Sequence, residues 1–177
     1  YGPEGYGSAN WVKSEEMQFQ VVCENKPEEN IAHASTVVIT QKIDEAYDYS
    51  TFRLGDMMIA GNYISVSGNL QRYRARVDWT RTLGVWVDVN AVFDADTGIV
   101  TWEFMAIDPE TGYAVSDPFK GLLAPNYNPP EGDGGVYYYI TPKSTAASGT
   151  EISAQASIVF DTNEAIETPT ISYTLDA

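Results

Sequence analysis

Basic side chains are scarce in this chain: ten Lys and Arg stand against 25 Asp and Glu, for a formal net charge of −15 over 177 residues. A protein that holds DNA or RNA needs a cationic surface to displace counterions from phosphates, so a nucleic-acid partner is excluded. The same field repels anionic membrane surfaces but suits a neutral ligand such as a glycan, or divalent cations. Histidine occurs once, at His33, and cysteine once, at Cys23. One thiol makes no internal disulfide and reads as a small buried apolar residue; neither residue has companions for a thiolate or imidazole metal cluster. No run approaches the roughly 18 apolar residues of a membrane-spanning helix, so no membrane insertion is expected. The opening Tyr1-Gly2-Pro3-Glu4 carries no cationic and apolar leader and reads as the start of an excised fragment. A glycine-rich phosphate loop and a nucleophile elbow are both missing. The 25 acids leave room for a carboxylate pair of the glycosidase kind. No spacing singles such a pair out, and the expectation is a protein without catalytic activity.

What the chain has instead is alternation. Ile152, Ala154, Ala156, Ile158 and Phe160 alternate with Ser153, Gln155 and Ser157, the two-residue period of a strand with one buried face. The same period runs through Met17, Phe19 and Val21, through Val37 and Ile39, and through Tyr73, Ala75, Val77 and Trp79. It is clearest in residues 84–106, where Val85, Val87, Val89, Ala91 and Phe93 face inward, as do Val100, Trp102, Phe104 and Ala106. Between these runs Asp94-Ala95-Asp96-Thr97-Gly98 supplies hairpin-turn chemistry, and Asp108 to Gly112 makes a second acidic turn of similar form. Residues 45–49 suggest a short helical turn. Residues 116–135, rich in Pro and Gly and poor in alternation, read as a long surface loop of the kind that often carries function. About ten strands result, with no long helix and no βαβ rhythm. The expected fold is an all-β, antiparallel two-sheet β-sandwich, immunoglobulin-like or jelly-roll. Residues 1–10 are expected to form a linker or N-terminal extension, and residues 11–177 a single domain.

Two groups of residues are candidates for recognition. Trp86, Tyr127, Tyr137 and Tyr139 fall on polar faces or in the loop, where flat rings with polar edges suit sugars or protein surfaces; the alternative is that they are covered. Arg72, Arg74, Arg76 and Arg81 crowd ten positions. Those on one strand face are expected to pair with acids such as Asp88 or Glu103; alternatively Arg74 clamps a ligand carboxylate. At the end of a buried strand Asp161, Asn163 and Glu164 present three oxygen-bearing side chains, enough to contribute to a calcium site, or to lock a turn without metal.

The opening Gly2-Pro3 and Gly5-Tyr6-Gly7, the Asn10-Trp11 pair and Gly132 carry a resemblance that is strongest at the end of the chain. There the matching residues are Ala156-Ser157-Ile158-Val159-Phe160-Asp161, Asn163, Ile166 and Thr168-Pro169-Thr170. The chain resembles an uncharacterised β-sandwich module of large secreted or cell-surface bacterial proteins, with Ala165 where that module usually has proline. The resemblance implies an extracellular or surface location, neighbouring domains of the same polypeptide as partners, and no catalytic residues. The expected function is a structural or adhesion module. The alternative is a carbohydrate-binding module, calcium-stabilised if Asp161 is a ligand, with polysaccharide as its partner.

Overall fold

The computed structural model describes residues 1–177, and alternation turns into thirteen strands with no helix. They are β1 (Trp11–Lys13), β2 (Met17–Glu24), β3 (Thr36–Lys42), β4 (Tyr47–Ile59), β5 (Asn62–Ile64), β6 (Arg72–Trp79) and β7 (Val85–Asp94). After these come β8 (Ile99–Ile107), β9 (Asp133–Pro142), β10 (Glu151–Ala154), β11 (Ala156–Phe160), β12 (Ile166–Glu167) and β13 (Ile171–Asp176). A six-stranded antiparallel sheet runs β12-β11-β3-β8-β7-β6, and a four-stranded one runs β2-β9-β4-β5. A small third sheet, β1-β13-β10, closes one end, with β1 parallel to β13.

The two larger sheets form the sandwich, and aromatic contacts between them show where they meet. Phe52 of β4 stacks on Phe93 of β7 at 4.1 Å, and Trp102 of β8 lies 6.0 Å from Tyr138 of β9. Gln41 of β3 donates its amide to the Tyr138 hydroxyl at 2.8 Å, so the buried phenol and the buried amide satisfy each other. The ring of Tyr173, from the third sheet, packs edge-on to Phe19 of β2. Every inward residue expected from residues 85–106 is buried. At about 1.5–3 kcal/mol for each large apolar side chain, this layer is the main stabilising term.

The extra strands have physical causes. Residues 152–160 keep one alternating pattern, but the chain changes sheets at Gln155, so β10 pairs with β13 while β11 pairs with β3. Residues 47–59 form one long strand, β4, which absorbs Gly55 and Asp56 through register shifts against β9, and the turn at Ala60–Gly61 returns the chain as β5. The helical turn expected at residues 45–49 is a tight turn instead. Asp44 Oδ1 accepts the Ala46 N–H, and Tyr47 is already in β4 with its ring in the core.

Two connections are tied down more firmly than their composition implies. Residues 116–135 are not only surface: Leu122 and Leu123 are fully buried, and Leu123 bridges Ala34. Buried Asn25 anchors this segment by donating to the carbonyl oxygens of Ala32 and Leu123. Residues 1–10 lie along the domain, with Asn10 Nδ2 donating to Ser172 O and Tyr6 Oη to Asp176.

The acids explain how so many turns hold. Asp44, Asp48, Asp78, Asp94, Asp108 and Asp117 each accept the backbone N–H two residues on, the Asx-turn geometry. The turns at Asp94 and Asp108 are built alike: Gly98 and Gly112 sit at φ +71° and +74° and donate to the Asp carbonyl at 2.7 Å.

Candidate functional site

The outer face of the six-stranded sheet is built by β6, β7 and β8. Register places Arg74 opposite Asn90, Arg76 opposite Asp88, and Asn90 opposite Glu103. Because side chains on one face repeat every second residue, Trp86, Asp88 and Asn90 form a row. One rung of the expected ladder is present, and Arg72, Arg74 and Glu103 form no ion pair. Arg76 forks onto Asp88, with Nε and Nη2 at 2.6 and 2.9 Å from its two oxygens, and its guanidinium lies 5.5 Å from the centre of the Trp86 ring. The hydrogen bond from Arg76 holds the Asp88 carboxyl below the usual carboxylate range. Beside this pair lies a shallow concavity of about 390 Å³, lined by Arg74, Arg76, Asp88, Asn90, Glu103 and Met105. Arg74 makes no ion pair of its own there.

Tyr137 and Tyr139 lie on the opposite outer face, on β9. The Arg53 guanidinium sits 3.7 Å from the centre of the Tyr139 ring and is itself held by Glu16 at 2.9 Å, so that ring face is already covered. Gln18 donates to the Tyr139 hydroxyl at 3.2 Å, and Tyr137 packs over Gly55. Tyr127 is 70% exposed on the long connection. The fold therefore brings Trp86 and Arg74 to one face and separates them from the three tyrosines.

Asp161 is placed by its turn. Its Oδ1 accepts from Ser35 N, Ser35 Oγ and Thr36 N at 2.9, 2.8 and 2.9 Å, stitching the end of β11 to the start of β3. Asn163 and Glu164 are exposed in the same turn. No three acidic, histidine or cysteine side chains converge as a ligand set anywhere in the chain.

A further feature depends on topology, which local pattern does not reveal. Between the edge strands β2 and β12 of the two layers lie two adjoining concavities of about 350 and 830 Å³. Tyr1, Val22, Thr168 and Pro169 border both. At one end Asn126 donates to both Glu24 and Asp133 at 3.0 Å. Burial, reinforced by Glu24, raises the Asp133 carboxyl. Cys23, behind this edge, has its thiol pushed up to about 12 by burial.

A family profile described as a domain of unknown function, DUF7619, matches residues 105–174. No curated protein sequence matches the chain. Among solved structures, the chain is similar to the N-terminal domain of a Streptococcus gordonii adhesin, at 11% identity and TM-score 0.46, covering 92% of this chain and 29% of that one. It is also similar to the collagen-binding domain of a Staphylococcus aureus adhesin, at 11% identity and TM-score 0.44, covering 100% and 96%. The major pilin subunit BcpA of Bacillus cereus aligns at 12% identity and TM-score 0.47, over 93% of this chain and 37% of the pilin. The chain thus spans under a third of the first of these and little over a third of the last.

Proposed function

We propose that this chain is a non-catalytic structural or adhesion module of a secreted or cell-surface multidomain protein, with the other domains of its own polypeptide as neighbours. The observation that carries this reading is how the acids are used. The six Asx turns and the Asp161 stitch place carboxylates on backbone amides, where they hold connections between strands. Such acids are architecture, and they leave the flat outer faces for contact with other molecules. The test is a turnover screen of the purified chain against polysaccharide and peptide substrates, run beside a binding screen on immobilised matrix proteins and glycans. The reading expects no turnover. Hydrolysis that co-purifies with the chain and disappears in a carboxylate variant overturns it.

One observation favours a second reading, carbohydrate binding on the six-stranded face. Trp86 there lies beside the Arg76–Asp88 fork, with Arg74 free to donate hydrogen bonds, which is an apolar plate with polar groups at its rim. Affinity electrophoresis in plant and microbial polysaccharides tests it. Retardation lost in Trp86→Ala and kept in Tyr139→Ala supports this face; no retardation across the panel removes it.

A further inference from the structure

On the outer face of the six-stranded sheet, register sets Arg74, Asn90 and Glu103 side by side across β6, β7 and β8. Adjacent strands lie about 4.8 Å apart, so a guanidinium and a carboxylate stand about 10 Å from each other with a carboxamide between them. The side-chain hydrogen bonds on this part of the face are the two of the Arg76–Asp88 fork, and the chain's other ion pair joins Arg53 to Glu16. All three side chains of the row therefore keep their hydrogen-bonding capacity for a ligand. They line the concavity of about 390 Å³, with Met105 as an apolar wall. Neither chain end borders it: the Tyr1 amino group is bonded to Gln20 on the other sheet, and Ala177 to Ser148.

Charge around the row differs from that of the whole chain. Three of the ten Lys and Arg stand on β6. Arg76 neutralises Asp88, which leaves Arg72 and Arg74 against Glu103. At physiological salt, exposed charges more than about 8 Å away are largely screened, so this local balance outweighs the net −15. Arg72 and Arg74 are both exposed and repeat along the strand at about 7 Å. Trp86 shares the row of Asn90 along β7, about 13 Å away, where it offers a ring to a further unit of the same ligand.

On the carbohydrate reading of this face, on which this inference rests, we propose that the ligand is a glycan whose sugars carry carboxylates. One carboxylate lies on the paired donors of Arg74, hydroxyls of the same sugar meet Asn90 and Glu103, and a neighbouring unit stacks on Trp86. Arg72 takes the carboxylate of the unit on the other side. A neutral sugar gives Arg74 only hydroxyl partners, which bind a guanidinium more weakly than an anion does.

The test titrates the whole chain with polygalacturonate and with sialyllactose, each beside a form whose carboxyls are reduced to alcohols. Saturable binding of one carboxylated form is expected, which distinguishes a polyuronate from a sialylated source, and it weakens as salt rises. The reduced form binds at least tenfold more weakly. Arg74→Gln keeps the melting temperature, being at an exposed position, and binds carboxylated and reduced forms alike. Glu103→Gln keeps an acceptor and removes a like charge, so binding holds or tightens. Equal binding of both forms by the wild type overturns the acidic-sugar assignment and leaves the carbohydrate reading standing. Binding of neither form, beside retardation by a neutral polysaccharide, does the same; no retardation by any polysaccharide overturns both. Binding lost in Glu103→Gln means a ligand that needs that anion, and also overturns the assignment.

Discussion

Replacing Asp161 separates two roles for the same carboxylate. In the structure one oxygen takes three donors at 2.8 to 2.9 Å, and the residue sits at φ +51°. Hydrogen bonds to a charged group contribute about 1.5–3 kcal/mol, and the exposed setting here argues for the lower half of that range. The left-handed backbone adds a penalty of about 1 kcal/mol for a residue such as Ala, and little for Asn or Gly. Asp161→Asn keeps an acceptor and the backbone tolerance, and is expected to cost about 1 kcal/mol. Asp161→Gly loses the bonds but relaxes the backbone, at about 2 kcal/mol, and Asp161→Ala loses both, at about 3 kcal/mol. Urea unfolding with unchanged m-values reads these differences. For a domain of this size each kcal/mol moves Tm by about 2–4 °C. Calcium supplies the control. A cation bound here at about a hundredfold excess over its Kd adds about 2.7 kcal/mol, a rise of several degrees. A turn lock expects the same Tm in calcium and in chelator. A calcium-dependent rise that disappears in Asp161→Asn, or an Asp161→Ala variant as stable as wild type, refutes the reasoning.

The remaining expectations concern pH, the long connection and two turns. Asp133 has a raised folded pKa, so its charge penalises the fold at neutral pH, and that penalty fades as pH falls through the raised value. Glu16, Asp48, Asp78 and Asp88 are held down by hydrogen bonds from Arg53, Ser50, Thr80 and Arg76. Their stabilisation is present above the unfolded carboxylate pKa of about 4 and is lost below it. Stability measured against pH therefore holds or rises slightly from neutrality toward about 5, then falls. Asp133→Asn flattens the first limb, and a steady decline from pH 7 in wild type contradicts the assignment. Leu122→Ala, at a fully buried site, costs about 2–5 kcal/mol by urea melt; a cost under about 1 kcal/mol places this connection outside the cooperative core. Gly112→Ala meets open space and costs about 1 kcal/mol, for positive φ alone. Gly98→Ala costs more, because its Cβ runs into the Tyr49 hydroxyl and Lys42 Nζ; equal losses contradict that packing.

Alternation makes the sheets legible in the sequence, because a half-buried strand writes its burial into every second residue. Val87 and Phe104 point inward as their spacing requires, and Arg76 meets Asp88 because both lie on one face of paired strands. The sheet change at Gln155 was hidden by the same rule: residues 152–160 bury the same side before and after the chain changes partners, so the period does not break. Leu122 and Leu123 were masked by surrounding Pro and Gly, whose turn preferences outweigh two adjacent apolar residues in any local reading. Tyr139 illustrates a different gap. Its strand position was plain, but its cover, Arg53 held by Glu16, comes from residues 86 and 123 positions earlier in the sequence. That Arg74, Asn90 and Glu103 share one row leaves no local mark at all, since register between three strands sets it.

Residue-resolved chemical-shift mapping with polygalacturonate decides which face of the sandwich makes contact in solution. Shifts at the Asn90 side-chain amide and the Trp86 indole N–H, with Tyr137 and Tyr139 unmoved, are the pattern the account predicts. Shifts confined to the β9 face, or none with any glycan, contradict it.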